Sequence, residues 1–154
     1  MLALNHTLVG AAIGSQIDNI PAVIGLAVVS HFVLDFLPHV DQGSEFSREE
    51  LKPTFKYFLA AIDIFASFLI IILILMARPG LNSIPVITGA ITGLLIDLIF
   101  NVPFWESWVK KVRPLSYIYY FHNKIQEPLK KYQYSIGIPL QLIIIFTSIW
   151  FLIK

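Results

Sequence analysis

Long apolar runs separated by short polar stretches dominate the chain. A helix needs about 20 apolar residues to cross a hydrocarbon core, and four runs approach this length: 20–39, 57–77, 84–105 and 135–153. A shorter apolar run, 4–17, predicts a partial or tilted helix. Gly10 and Gly14 lie four residues apart in it, and we predict that they pack it against helix 20–39. The pattern predicts one all-α domain over 1–154, a polytopic integral membrane bundle of four or five transmembrane helices.

The composition is typical of a protein that is surrounded by membrane lipid. Hydrophobic residues make up 56% of the chain and charged residues only 14%, whereas soluble domains carry about 25% charged residues. A net charge of +1 argues against nucleic acid as a partner. The chain has no cysteine, which excludes a disulfide framework and a thiolate metal site. The N-terminus lacks the features of a cleaved signal peptide, so we expect it in the mature protein.

The basic residues predict an orientation. Two polar segments, 41–56 and 106–133, fall on one side of the predicted bundle and carry most of the Lys and Arg. The positive-inside rule places them and the N-terminus in the cytoplasm, so we expect a protein integral to the cytoplasmic (inner) membrane. Segment 106–133 is predicted to be an amphipathic connector that meets membrane lipid, the expected partner, while the oligomeric state stays open. The cations predicted to bind lipid headgroups are Lys110, Lys111, Arg113 and Lys124.

Ionisable residues of the apolar segments, together with His122 of the connector, are predicted to meet at the cytoplasmic end of the bundle. They are His6, His31, Asp35, His39, Asp63, Asp97 and His122. A charged group inside a membrane is costly and needs a partner, and no Lys or Arg is predicted at that depth. A divalent cation would remove the repulsion between the carboxylates. His and Asp are standard zinc ligands, and carboxylate-rich sites suit manganese or magnesium.

Helical spacing favours such a metal site. His31, Asp35 and His39 follow one another at four-residue steps, which places them on one helix face, and Asp97 and Asn101 repeat this spacing. Pro38 is expected to kink the helix end. The ligands predicted for one or two divalent ions, with zinc favoured, are His6, His31, Asp35, His39 and Asp97.

Three further side chains are predicted to act on the substrate. Asp63 or Asp41 would take a proton from bound water, and His122 would protonate the leaving group or complete the coordination. The alternative interpretation of His6 and His122, each taken singly, is a packing histidine. Asp41 could equally be a solvated loop residue.

The stretches NHTLVGAAIG and SHFVLDFLPHVD resemble motifs of small prokaryotic proteins described as predicted membrane-bound metal-dependent hydrolases. Those proteins have a His near the N-terminus and a His-x-x-x-Asp-x-x-Pro-His-x-Asp segment at a helix end. FHNKIQ, which contains His122, is similar to their later His motif. The residues that match are His6, His31, Asp35, Pro38, His39 and Asp41. The resemblance implies a metal-dependent hydrolase.

A more distant similarity is to the zinc-dependent phospholipase C and single-strand nuclease superfamily. There a helical His-x-x-x-Asp, followed by Pro and another His, supplies ligands to a zinc cluster. This chain lacks their N-terminal Trp ligand, and its second helical pair reads Asp97-x-x-x-Asn101. We therefore expect one or two ions rather than three.

The resulting hypothesis is a membrane-embedded metal-dependent hydrolase of a lipid or lipid-linked phosphoester near the cytoplasmic interface. One alternative is an ion- or proton-coupled transporter, which should place polar groups across the full membrane depth. Another is a non-catalytic membrane scaffold whose polar cluster only fixes helix packing.

Overall fold

The computed structural model describes residues 1–40, 52–126 and 132–154, and this part of the chain consists of helices joined by short connections, with no strand. The predicted all-α class is confirmed. The helices are α1 (Ala3–Gln16), α2 (Ile20–Phe36), α3 (Pro53–Ala77), α4 (Ser83–Asn101), α5 (Pro103–Val109), α6 (Arg113–Gln126) and α7 (Ile138–Ile153). A π-helical turn, Gln133–Gly137, leads directly into α7.

Three helical segments are long and apolar enough to cross a membrane: Thr54–Ala77, Ser83–Asn101 and Tyr134–Ile153. Helix α2 is apolar but has only 17 residues, and α1 has 14. At 1.5 Å per residue these two helices are about 25 and 21 Å long. Large apolar side chains such as Phe65 and Phe146 lie exposed on α3 and α7, as expected of surfaces that face lipid. These features indicate possible insertion into a membrane.

Helix α1 lies at the centre of the bundle and packs against α2, α3, α4 and α7. Its closest approach is to α4, where a Cβ on Gly10 would overlap the Gly89 carbonyl and one on Gly14 would overlap the Pro85 carbonyl. Small residues permit such backbone contact between helices in an apolar solvent. The prediction that Gly10 and Gly14 pack against α2 is therefore wrong, because α4 carries the complementary glycines, Gly89 and Gly93.

Helix α2 ends at Phe36, three residues before the predicted end. Pro38 disfavours helical dihedral angles at the preceding residue, and Leu37 is indeed extended, with φ −72° and ψ 153°. His39 therefore lies beyond the helix. The prediction that Asp35 and His39 share one helix face is wrong for this reason.

A second proline divides the predicted helix 84–105. Val102 is extended, with φ −87° and ψ 118°, and Pro103 begins the separate helix α5. The connector that follows is helical over Arg113–Gln126, and this helix, α6, packs against α2 and α5.

Helices α1 to α4 alternate in direction and α7 runs in the direction of α1, so the starts of α1 and α7 and the first half of α3 meet the ends of α2 and α4. We call this end of the bundle the site end. Contacts that define it include Ala3 with Asp63 and Asn5 with Gln141. At the opposite end, Asn82 donates a 3.0 Å hydrogen bond to Asp18. The topology thus brings distant polar residues to a single level.

Candidate metal centre

Four side chains converge at the site end and could hold a metal ion: His31 and Asp35 from α2, Asp97 from α4 and His122 from α6. We call them the four-residue cluster. Their ligand atoms all lie within 4.8 Å of one another. His122 Nε2 and His31 Nε2 lie 2.8 and 3.1 Å from Asp35 Oδ2, and 3.2 Å from each other. Asp97 Oδ1 lies 3.8 Å from His31 Nε2 and 3.7 Å from His122 Nε2.

These separations match the size of a metal ion. In a tetrahedral zinc site with bonds of about 2.0–2.1 Å, ligand atoms lie about 3.3 Å apart. The distances from each imidazole nitrogen to the carboxylate oxygens and to the other imidazole run from 2.8 to 3.8 Å, and all ligand atoms lie within 4.8 Å of one another. The donor set of two imidazoles and two carboxylates is also one that zinc accepts. The cluster could therefore hold a divalent ion after only small side-chain movements.

A backbone carbonyl orients one of the imidazoles. His31 Nδ1 lies 2.8 Å from the Gly93 carbonyl oxygen. Because a carbonyl only accepts hydrogen bonds, Nδ1 must carry the proton, which leaves the Nε2 lone pair of neutral His31 directed at the cluster. The ring of His122 packs against Phe32 and Phe100, with centroids 6.2 and 5.6 Å away. Both imidazoles are thus held in place by groups outside the cluster.

His6 of α1 lies next to the cluster, on its other side. Its Nε2 is 3.1 Å from Asp35 Oδ1 and 3.7 Å from Asp97 Oδ2, and its ring stacks on His31 at a centroid distance of 4.0 Å. Its buried Nδ1 has no hydrogen-bond partner within the described part of the chain. The Met1 ammonium nitrogen lies 2.8 Å from Asp35 Oδ1.

Asp97 forms the open edge of the centre. Its side chain is 14% exposed, whereas those of His6, His31 and Asp35 are fully buried. Asn101, one helical turn further along α4, donates a 2.9 Å hydrogen bond to Asp97 Oδ1. Water or a substrate therefore has its nearest access to the cluster at Asp97.

Two other predicted site residues, Asp63 and His39, are not part of this cluster. The Asp63 carboxylate accepts hydrogen bonds from the backbone amides of Ala3, at 2.7 Å, and Leu4, at 3.2 Å, so it caps the start of α1. His39 Nδ1 lies 2.7 Å from the Leu37 carbonyl oxygen. Asp41 lies outside the described residues.

The predicted headgroup cations lie on α6 and the turn before it, where Lys111, Arg113 and Lys124 are exposed. Lys110 Nζ is 2.7 Å from Glu106 Oε1 and sits over the Tyr119 ring, and the Tyr119 hydroxyl also donates to Glu106. Both hydrogen bonds lower the pKa of Glu106 below its usual value, and the bond from Lys110 has the larger effect. The bond to Glu106 raises the pKa of Lys110. Binding of lipid headgroups by these cations stays a prediction.

Sequence reasoning missed a polar clamp above the cluster. The Gln141 side chain accepts from the Val40 amide at 3.0 Å and donates to the Val40 carbonyl at 2.9 Å. Asn5 Nδ2 donates to the Gln141 carbonyl at 3.0 Å. This clamp fixes the segment after Pro38 against α7 and α1. The sequence feature that could have indicated this clamp is an amide side chain, Asn5 or Gln141, within an otherwise apolar run.

No family model matches the chain, and neither curated proteins nor solved structures show a significant similarity to it. The resemblance to predicted membrane-bound hydrolases therefore stays an expectation that rests on the quoted motifs. Function has to be argued from the geometry of the four-residue cluster.

Proposed function

We propose that this protein is a membrane-embedded metal-dependent hydrolase of a lipid or lipid-linked phosphoester. The observation that supports this is the four-residue cluster, whose ligand atoms lie within 4.8 Å of one another at one end of an apolar bundle. The His and Asp donors favour zinc over manganese or magnesium. A bound divalent ion would lower the pKa of its water ligand and polarise a phosphoryl oxygen.

The proposal places the site end at the cytoplasmic face of the inner membrane. The basic residues around α6 support this orientation through the positive-inside rule. In this arrangement α2 enters the bilayer beside the three longer helices, which makes four membrane helices, or five if α1 also spans the bilayer. A centre just below the headgroups suits a bond between an apolar tail and a polar head. The exposed Lys111, Arg113 and Lys124 would attract an anionic headgroup.

The protein side chains have distinct proposed roles. His31, Asp35 and His122 hold the ion, because all three are buried and oriented by neighbouring groups. Asp97 completes the set and, as its most accessible member, faces the open side where water or a substrate would enter. Asn101 keeps the Asp97 carboxylate in place. Asp63 is bound to the α1 amides, so we do not assign proton transfer to it.

The first test is metal content, measured by elemental mass spectrometry on detergent-purified protein. We expect about one tightly bound ion per chain in the wild type, and loss of that ion in His31→Ala and Asp35→Ala. His39→Ala is the matched control. Because His39 lies outside the cluster, this variant should keep the ion. Vesicles that contain a lipid phosphate monoester or a phosphodiester then test hydrolysis, which should fail in folded ligand variants.

A structural polar network is the second candidate function. It is favoured by the three imidazoles that surround Asp35 in the structure, at 2.8–3.1 Å, since a satisfied network can fix packing without an ion. This candidate predicts no retained metal even after repletion with zinc, manganese and magnesium. It also predicts that Asp35→Ala changes only stability. Those two results together would overturn the hydrolase proposal.

A further inference from the structure

Both carboxylates of the centre face two ways. Asp35 directs Oδ2 at His31 and His122 and Oδ1 at His6, whose Nε2 is 3.1 Å away. Asp97 likewise has Oδ1 near His31 and His122, and Oδ2 at 3.7 Å from His6 Nε2. The same two residues thus serve two adjacent sets of ligand atoms. The second set consists of His6 Nε2, Asp35 Oδ1 and Asp97 Oδ2.

We infer that the second set binds a second divalent cation, so that Asp35 and Asp97 bridge two ions. This inference rests on the proposed function, because it requires the first ion to be real. The separations of 3.1 and 3.7 Å bracket the value of about 3.3 Å for ligands of one zinc-sized ion. Three protein ligands leave an open position for water or substrate. Ion pairs about 3.5–4 Å apart stabilise both the attacking and the leaving oxygen of a phosphoester.

The surroundings of Asp35 Oδ1 are closed to bulk solvent. The side chains of His6 and Asp35 are both fully buried, and the backbone nitrogen of Met1 lies 2.8 Å from Oδ1. The second ion would displace this nitrogen, and any water or substrate that it binds would enter from the Asp97 edge.

Charge balance couples the second ion to an anion. One divalent ion neutralises the two carboxylates, and a second ion leaves two surplus positive charges in an apolar setting, which is unfavourable. An oxyanion such as phosphate at the open edge near Asp97 would restore neutrality. Phosphate and the second ion should therefore increase each other's affinity, as thermodynamic linkage requires.

The two ions should bind with different affinities. Gly93 orients His31 through Nδ1, whereas His6 Nδ1 has no such partner in the described part of the chain. Loss of an orienting hydrogen bond of this kind typically weakens metal binding by about 10- to 100-fold. We expect the His6 position to fill second, with an affinity lower by about that factor.

Titration of metal-stripped protein with Mn²⁺, followed by electron paramagnetic resonance, tests the inference directly. Two Mn²⁺ bridged by two carboxylates give an exchange-coupled spectrum that an isolated ion does not show. The wild type and the control His39→Ala should bind two ions and develop this spectrum, at lower Mn²⁺ when inorganic phosphate is present. His6→Gln and His6→Ala should bind one ion with an uncoupled spectrum. Circular dichroism and gel filtration identify variants that have lost their fold.

The outcomes separate the inference from the proposed function. One ion in the wild type, unchanged in folded His6→Gln, would overturn the second site and leave the four-residue cluster intact. No ion in the wild type would overturn both. Two ions without phosphate linkage would refute the charge argument. If His6→Ala loses its fold, the volume-matched His6→Gln decides.

Discussion

Gly93 links the packing of the bundle to the proposed metal centre, and Gly93→Ala is the substitution that tests this link. A Cβ at this position would overlap the His6 carbonyl oxygen and lie 3.1 Å from the His6 carbonyl carbon. To restore a normal contact of about 3.5 Å, α1 and α4 would have to separate by about 1 Å. Insertion of a methyl group into a tight core typically costs about 1–3 kcal/mol. We expect a loss of stability in that range.

The same shift would move the Gly93 carbonyl away from His31 Nδ1, so metal affinity should fall by about 10- to 100-fold. The free energy of unfolding in mixed detergent measures the first effect, and competition with a calibrated chelator measures the second. Gly25→Ala is the control, because nothing lies within 4 Å of a Cβ there; it should be neutral or stabilising by about 0.5–1 kcal/mol. Gly10→Ala should destabilise similarly but weaken metal binding less. Equal stability of Gly93→Ala and Gly25→Ala would refute the reasoning.

Three further substitutions probe separate parts of the molecule. Asp35→Asn should abolish metal binding and cost about 3–5 kcal/mol, because it breaks a buried charged network; denaturant unfolding measures this, and wild-type stability would contradict it. Gln141→Leu should lower the free energy of unfolding by about 1–3 kcal/mol, because it leaves the Val40 amide and carbonyl without their partner. It should also speed proteolysis of the chain after α2, and an unchanged cleavage rate would argue against the clamp. Glu106→Gln should lower stability only at pH values where the Glu106 carboxylate is ionised, because the Lys110 contact lowers the pKa of Glu106. The wild type should therefore be more stable than the variant above pH 4.5 and should lose this advantage as the pH falls through the lowered pKa. Unfolding followed by tryptophan fluorescence at several pH values measures the difference.

The sequence predicts the helices well where apolar runs end in polar residues. The limits of α1 and the end of α3 at Ala77 lie within one residue of the predicted ones. It fails where a proline interrupts an apolar run, because hydropathy does not register the backbone restriction. At Pro38 the sequence predicts a kink, whereas α2 ends at Phe36. At Pro103 proline chemistry alone would have indicated the break.

For the site, alternation of helix direction is enough to predict that His31, Asp35, Asp97 and His122 lie at one level. Their finer arrangement depends on contacts that residue types do not reveal. His31 is oriented by the backbone carbonyl of Gly93, and because every residue has such a carbonyl, the sequence does not reveal this contact. The choice of α4 over α2 as the close neighbour of α1 depends on three-dimensional packing, since spacing alone does not identify the partner of Gly10.

The cap that Asp63 places on α1 has a consequence for how the protein is made. The amides of Ala3 and Leu4 emerge from the ribosome about 60 residues before the carboxylate that satisfies them, and unsatisfied amides are costly in lipid. A 14-residue helix is also too short to cross the bilayer stably alone. We therefore expect α1 to settle only after α3 and α4 have been inserted, and Gln141 to lock it last. Metal capture would then require α6, which supplies His122, and chains arrested before α6 should carry no ion.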